Sequence, residues 1–172
     1  MLEKESFEIY LQKRSFDCGA GAAGILLKNF GYRVNYPNLI QALEVSRRNG
    51  TRASRLEGYF YRRGFPAYSK NNAFISDLRW DLDHGRLPIV AFQGSGTKRE
   101  MARYEGGHYA VPAIISKRYV YLLDPGIDKD FGDGVGWQRL SIPEFRARWY
   151  DMDKENGKEI YYTHWMLSVG KK

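Results

Sequence analysis

Residues 17–31 read DCGAGAAGILLKNFG, and this stretch decides the fold. Asp17 is a favourable N-cap residue, and Gly31 is favourable just past a helix C-terminus. The side chains between Asp17 and Lys28 are small or apolar, which predicts a buried helix from about Asp17 to Phe30. Each glycine in a helix interior costs about 1 kcal/mol relative to alanine. The glycines therefore indicate close packing against another part of the protein.

The same stretch matches the dinucleotide-binding pattern GxGxxG at Gly19–Gly24. That pattern binds a dinucleotide when it directly follows a buried strand within a βαβ unit. Here it follows the polar segment QKRSFDC at 12–18, and Glu44, at the distance of the ribose-binding acid, falls inside a helical pattern. The match is therefore not interpreted as a nucleotide site.

Helical patterns dominate the first half of the chain, which we place at about 17–85. We predict a second helix from Pro37 to Val45, a third that is capped by Thr51 or Ser54 and ends at Gly64, and a fourth that is capped by Ser76 and ends at Gly85. Short strands are predicted at Phe7–Leu11 and 66–69.

Strand patterns dominate the second half, which we place at about 88–169. Predicted strands cover 88–93, 108–115, 119–123, 137–140 and 160–169, with a loop at Gly94–Gly107 and a short helix from Ser141 to about Tyr150. The pair 108–115 and 119–123 is separated by a short turn and predicts a hairpin. Helices first and strands later indicate the α+β class, with an antiparallel sheet rather than βαβ units.

Composition limits the classes of protein. The chain has 172 residues, of which 43% are hydrophobic and 15% aromatic, so we expect a single domain over 1–172 with a real core. No apolar run reaches the roughly 18 residues of a membrane span, and the charged start MLEKESFEIYLQKRS lacks the apolar stretch of a secretory signal. We therefore expect a cytoplasmic protein, although delivery by a route other than Sec leaves no trace in the sequence.

The net charge of +7 is spread along the chain without a long basic run or a nucleic-acid-binding motif. Nucleic acid is therefore not an expected partner. Four acidic residues crowd the segment after residue 123, but their spacing does not fit a calcium loop, and we interpret the last three as solvated turn residues: Asp124, Asp128, Asp130 and Asp133. Nothing in the sequence requires a metal.

Cys18 is the single cysteine, which excludes an internal disulfide and a cysteine-rich zinc site. A lone cysteine is most often a small buried apolar residue. At the start of a helix, however, the thiolate is stabilised by the helix N-terminus, as a nucleophile requires.

A cysteine nucleophile needs a base, and the chain has three histidines. His84 lies in Asp-His-Gly at a predicted helix end, where it interacts with the helix dipole. His164 reads as a packed strand residue. His108 follows Gly106–Gly107 and opens an apolar strand, and those glycines permit close approach of the backbone. His108 is therefore the favoured base.

Two further groups complete the candidate site. Asp124 ends the strand after that of His108, and a hairpin permits the two to meet, although the register cannot be determined from the sequence. Gln12 lies in the loop before the predicted helix and is a candidate donor to an oxyanion.

These residues carry a resemblance to a family. Gln12 followed six positions later by Cys18, Asp17-Cys18-Gly19 at the head of a small-residue helix, GGHYAVPAI around His108 and YVYLLDP ending at Asp124 together resemble the papain-like peptidases that process double-glycine leader peptides of bacteriocins. The resemblance covers nearly the whole chain. It implies a papain-like fold with a helical half packed on an antiparallel sheet.

By this resemblance Cys18 is the nucleophile, His108 the general base and acid, Asp124 the orienting residue and Gln12 the oxyanion-hole side chain. The expected substrate is a peptide or isopeptide bond, and no cofactor is needed. The sequence has neither membrane spans nor the GxxxxGK[ST] loop of an exporter, so it is similar to the stand-alone branch. Cleavage after Gly-Gly is a property of its relatives. The alternatives are an inactive peptide-binding relative and a basic nucleic-acid-binding or toxin domain. The oligomeric state is left open.

Overall fold

The structure is a computed structural model, and it describes residues 4–172. Its α-helices are α1 (Cys18–Asn29), α2 (Tyr36–Ala42), α3 (Ala53–Arg62), α4 (Ile75–Asp83), α5 (Lys98–Ala102) and α6 (Ile142–Arg148). Its strands are β1 (Ala67–Lys70), β2 (Arg86–Gln93), β3 (Gly107–Ile115), β4 (Tyr119–Leu123), β5 (Trp137–Ser141), β6 (Tyr150–Glu155), β7 (Lys158–Thr163) and β8 (Met166–Gly170). Within this part of the chain, no helix is long and apolar enough to cross a membrane.

Six strands form one sheet in the order β1-β8-β2-β3-β4-β5, and all neighbouring pairs are antiparallel. β6 and β7 pair separately as a two-stranded hairpin. The predicted hairpin of β3 and β4 is confirmed, with Val111 opposite Leu123. The start of β3 and the end of β4 lie together at the open end of this hairpin. The residues at these two points are therefore close in space.

The sheet has a hydrophobic core on each face. In β2, Ile89 and Ala91 belong to the core with α1, α2 and α3, while Val90 and Phe92 belong to the core with α4 and α6. This alternation follows from the period of two in a strand. The α+β class and the antiparallel sheet are thereby confirmed.

The predicted helix at 17–30 is α1, and its glycines are sites of close packing, as expected. The dinucleotide-like pattern lies inside the helix rather than between a strand and a helix. A Cβ atom at each of the three glycines would lie 2.4 Å from a neighbouring side chain: Gly19 from Thr51, Gly21 from Pro125 and Gly24 from Tyr10.

The strand predicted at Phe7–Leu11 is wrong. The Asn29 side chain accepts a hydrogen bond from the Glu8 backbone N–H (3.0 Å) and donates one to the Glu8 carbonyl (2.8 Å). Gln12 donates its backbone N–H to the Pro125 carbonyl. A side chain at the end of α1 and a loop carbonyl thus satisfy backbone groups that would otherwise pair in a sheet.

Two predicted helix caps are also wrong. The N-cap of α3 is Arg52, rather than Thr51 or Ser54, and the Ala53 N–H donates to the Asp153 carboxylate. The N-cap of α4 is Phe74 rather than Ser76, and its backbone N–H donates to Asp77. In both places a carboxylate outside the cap position binds the terminal backbone N–H.

The Gly94–Gly107 segment is not loop throughout, because Thr97 and Glu100 form a reciprocal capping box that begins α5. The single strand predicted at 160–169 is two strands. His164 interrupts it with a φ of +48°, so that β7 pairs with β6 and β8 joins the main sheet. β6 was not predicted.

Candidate active site

Cys18 is the first residue of α1, directly after Asp17. Asp17 occupies the N-cap position as predicted, but its side chain makes no capping bond to the helix. The buried carboxylate instead accepts hydrogen bonds from the Arg14 backbone N–H (3.1 Å) and from the Tyr36 hydroxyl. Burial, followed by the bond to Asp17, raises the pKa of Tyr36 to about 12. These contacts fix the loop that enters α1 and leave its first-turn N–H groups without a side-chain cap from Asp17.

His108, near the start of β3, and Asp124, directly after β4, lie side by side at the open end of the hairpin. His108 Nε2 lies 2.6 Å from Asp124 Oδ1, and that oxygen also accepts the Gly126 backbone N–H at 2.8 Å. Asp124 is 3% exposed. Because the carboxylate is held by two partners, it fixes the rotation of the imidazole and leaves Nδ1 as the ring nitrogen available to another group.

His108 is electrostatically coupled to Cys18. Burial opposes protonation of the imidazole, but the Cys18 thiolate and the hydrogen bond and charge of Asp124 outweigh it and raise the pKa of His108 to about 10. The side-chain hydrogen bond to Cys18 acts in the same direction. The arrangement therefore favours an imidazolium between a thiolate and a carboxylate.

Gln12 lies beside these groups. Its Nε2 donates to the Arg14 carbonyl (2.8 Å), and its buried Oε1 has no hydrogen-bond partner among residues 4–172. A Cβ atom at Gly126 would lie 3.2 Å from His108 Cε1 and 3.4 Å from Gln12 Oε1. The structure thus brings Gln12, His108 and Asp124 together around Gly126, and an amide with two N–H donors retains one beyond that used by Arg14.

Two cavities flank the Cys18–His108 pair. The larger, of about 390 Å³, is lined by Cys18 and by residues from the loops before α1 and α3, the end of the Gly94–Gly107 segment and β6. The smaller, of about 140 Å³, is lined by His108 and Asp124 with the loops that follow β2 and β4. Tyr104 and Tyr109 line the larger cavity, whereas Trp137 packs edge-on against Phe7.

One lining residue was missed by the sequence analysis. The Asp151 carboxylate, on β6, accepts hydrogen bonds from Gln93 Nε2 (3.1 Å) and from the Met152 N–H (2.9 Å). Burial and the neighbouring Asp153 charge raise the pKa of Asp151 to about 7, against the effect of these bonds. The alternation of Asp151, Asp153 and Glu155 is the signal of a strand face that would have identified β6.

The two other histidines lie elsewhere. His84 is the C-cap of α4, with Nδ1 2.7 Å from the Trp80 carbonyl oxygen, as its predicted position at a helix end implies. His164 connects β7 to β8, and its ring stacks on Trp149 at 4.9 Å between centroids. Neither residue lines the larger cavity, to which Cys18 belongs.

Solved structures of peptidase domains share the fold at low sequence identity. The peptidase domain of Streptococcus ComA, a bi-functional ABC transporter involved in quorum sensing, is 16% identical, with a TM-score of 0.70 over 96% of this chain and 99% of that chain. A double-glycine-motif protease from an AMS/PCAT transporter, in complex with its leader peptide, is 15% identical, with a TM-score of 0.63 over 95% and 91%. A C39-like peptidase from Bacillus anthracis is 12% identical, with a TM-score of 0.68 over 96% and 95%.

A comparison with curated proteins gave no match. The structural likenesses confirm the expected papain-like peptidase fold. Residues 6–152 match the Peptidase C39 family, a match that includes the whole β3–β4 edge and Cys18. The chain therefore belongs to the Peptidase C39 family.

Proposed function

We propose that this protein is a cysteine peptidase that hydrolyses a peptide bond with Cys18, His108, Asp124 and Gln12. The observation that carries the proposal is the His108 imidazole, held by Asp124 at 2.6 Å and coupled through its charge to Cys18 at the start of α1. A nucleophile, a base and a group that orients the base are the three parts that thiol catalysis needs. Gln12 lies beside them with a free N–H.

In the first step the Cys18 thiolate attacks the peptide carbonyl carbon, and a C–S bond forms as the carbonyl π electrons move to oxygen. The Cys18 backbone N–H and the Gln12 amide donate hydrogen bonds to that oxyanion. The His108 imidazolium then gives its Nδ1 proton to the nitrogen of the leaving amine as the C–N bond breaks. The product is an amine and a thioester on Cys18.

In the second step neutral His108 removes a proton from water, and the resulting hydroxide attacks the thioester carbonyl. The C–S bond breaks, a carboxylic acid is released, and the thiolate–imidazolium pair is restored. Asp124 keeps the ring in place and stabilises the imidazolium without accepting the proton. The whole cycle consumes one peptide bond and one water, so it requires no cofactor.

We further propose that the substrates are leader peptides that are cleaved after Gly-Gly. The solved protease with a bound leader peptide supports this substrate class, because it shares this fold. We also propose that the peptidase domain extends beyond the matched residues 6–152. β8, which follows them, is an internal strand of the sheet and lies between β1 and β2.

The test uses peptides that carry Gly-Gly before the scissile bond and a matched set with Ala-Ala, and mass spectrometry identifies the products. We expect cleavage after Gly-Gly by the wild type and none by Cys18→Ala. A peptide aldehyde ending in Gly-Gly should form a thiohemiacetal with the wild type, which provides a readout independent of turnover. Since Cys18 is the single cysteine, the site of the adduct is unambiguous. A peptide that binds without either cleavage or adduct formation would overturn the proposal.

A further inference from the structure

A third cavity lies on the opposite face of the sheet from α1. It has a volume of about 370 Å³ and lies between α4 and α6, beside the turn that joins β3 to β4. None of its lining residues lines either cavity beside Cys18 and His108. Its function is therefore separable from catalysis and does not rest on the proposed peptidase activity.

Three cationic side chains line this cavity, and they come from three different elements. Arg79 lies on α4, Lys117 in the β3–β4 turn and Arg146 on α6, and the lining includes no carboxylate. The nearest acidic residues along the chain are already paired: Asp77 with Lys70, Asp81 with Arg86 and Glu144 with Arg148.

Across residues 4–172, no ion pair joins Arg79, Lys117 or Arg146 to an acidic side chain. Arg79 Nη2 donates to the Ser116 carbonyl at 2.9 Å, which holds the guanidinium against the turn and leaves its other N–H groups unassigned. Three like charges repel one another, so their convergence on one cavity without a counter-charge favours an anion as the missing partner.

The remaining wall is mostly apolar, with Ala73, Phe74, Ile75, Ile142, Trp149 and His164 beside Ser76. Trp149 is 1% exposed at the base of the cavity, and the His164 ring stacks on it with an interplanar angle of 22°. The His164 backbone N–H donates to the Trp149 carbonyl at 2.9 Å, which fixes the pair. Phe74, at the edge, is 64% exposed. The cavity thus offers apolar surface next to its cations, chiefly the exposed Phe74 ring.

We propose that this cavity binds a phosphate group that is carried by a small organic molecule or by a lipid headgroup. Phosphate carries more charge than a monocarboxylate, and its oxygens match the planar fork of an arginine guanidinium. Lys117 adds a point charge with three donors. The exposed Phe74 ring and the partly exposed His164 ring, which stacks on Trp149, provide contact for the carbon skeleton that bears the phosphate.

The test measures binding of pyrophosphate and of adenosine diphosphate by calorimetry at low ionic strength, with benzoate as a monocarboxylate control. The variant Lys117→Ala/Arg146→Ala removes two cations of the cavity. The matched control Arg33→Ala/Lys158→Ala removes two exposed cations elsewhere, and thermal unfolding verifies that both variants are folded. We expect the cavity variant to bind the phosphate probes at least tenfold more weakly than the control, and benzoate to bind far more weakly than either probe.

Vesicles distinguish the two sources of the phosphate. A lipid headgroup would be identified if the wild type sediments with phosphatidylglycerol vesicles, pyrophosphate prevents this sedimentation, and the cavity variant does not sediment. Binding of the soluble probes without sedimentation would identify a small molecule. Equal loss in the control variant would overturn the proposal, because it would reveal attraction to the net charge alone. Absence of binding by every phosphate probe, or tight binding of an oligonucleotide that pyrophosphate does not displace, would overturn it as well.

Discussion

The His108 imidazole is held from two directions, and its role depends on both. Asp124 binds Nε2 at 2.6 Å, while the Cys18 thiolate stabilises the charged ring from the other side. Linkage is reciprocal, so an interaction that favours protonated His108 in the presence of the thiolate equally favours the thiolate in the presence of protonated His108. The charged forms of the two residues therefore stabilise each other.

This coupling predicts the pH dependence of Cys18 alkylation. The rate with iodoacetamide should already be high near neutral pH, because protonated His108, whose pKa is raised to about 10, accompanies the thiolate. In His108→Ala the alkylation rate near neutral pH should be lower, because the positive charge that stabilises the thiolate is lost. His84→Ala removes a histidine at the C-cap of α4 and should leave the profile unchanged. A wild-type profile that coincides with that of His108→Ala would contradict the thiolate–imidazolium pair.

The raised pKa of Asp151 predicts a second effect of pH, on the stability of the folded protein. Its pKa in the folded protein is raised to about 7, so the folded state holds a proton that the unfolded state has released. The contribution of Asp151 to stability therefore decreases as pH rises from about 4 to 7, because a buried charge replaces a neutral carboxyl. Asp151→Asn keeps an oxygen for the Gln93 and Met152 donors and should raise the unfolding temperature at pH 8 by roughly 2–4 °C, with little change at pH 4.

Asp130→Asn provides a control of opposite sign. The pKa of Asp130 is lowered by hydrogen bonds from the Gly132 and Gly134 N–H groups, so its charged form is favoured in the folded protein. That contribution is present at neutral pH and is lost as pH falls. Asp130→Asn should therefore not stabilise the protein at pH 8. Equal gains in both variants would show that general charge removal, rather than burial of Asp151, is responsible.

At the scale of elements, the glycines of α1 allow neighbouring segments of the chain to pack directly against the helix. Gly24 faces the Tyr10 ring, and Gly21 faces Pro125, which directly follows Asp124. These contacts bring the Gln12 segment and the loop after β4 against the helix that begins at Cys18. The small side chains of α1 therefore set the distances within the candidate site as well as the packing of the core.

Two glycine-to-alanine substitutions, one in α1 and one in α3, should have opposite effects on the free energy of unfolding. Gly24→Ala would place a Cβ atom 2.4 Å from the Tyr10 ring and should destabilise the protein by about 1–3 kcal/mol, despite the higher helix propensity of alanine. In α3, a Cβ atom at Gly58 would meet only the far end of the flexible Arg62 side chain. Gly58→Ala should therefore stabilise the protein by up to about 1 kcal/mol. Urea unfolding of both variants compares them, and a stabilised Gly24→Ala variant would contradict the packing role.

The elements also show what the sequence can predict. The α1 helix and the β3–β4 hairpin were predicted because their signals are local: a small-residue run with terminal Asp and Gly, and two apolar runs around a short turn. His108 and Asp124 followed from that hairpin. The caps of α3 and α4 were wrong because the carboxylate of Asp153 lies far away in the chain and that of Asp77 lies inside the helix. The alternating acidic residues of β6 were a local signal for that strand, but the place of Asp151 beside the candidate site depends on Gln93, from another strand.

At the scale of the whole molecule, the last strand, β8, is an internal strand of the main sheet. β8 pairs with β1 on one side and with β2 on the other, and its side chains Met166, Leu167 and Val169 are buried in the two cores. β2 in turn pairs with β3, which carries His108. The candidate site therefore depends on a segment that lies beyond the matched family residues 6–152.

Truncation tests this dependence. A chain that ends after His164 lacks β8, so β1 loses its neighbouring strand and β2 loses one of its two. Because the lost backbone hydrogen bonds and apolar contacts lie at the centre of the molecule, we expect this chain to lack a cooperative thermal transition. A chain that ends after Gly170 loses only the exposed Lys171 and Lys172 and should unfold cooperatively near the wild-type temperature. Calorimetry compares the two chains. Cooperative unfolding of the shorter chain would contradict this prediction, because it would show that the sheet forms without β8.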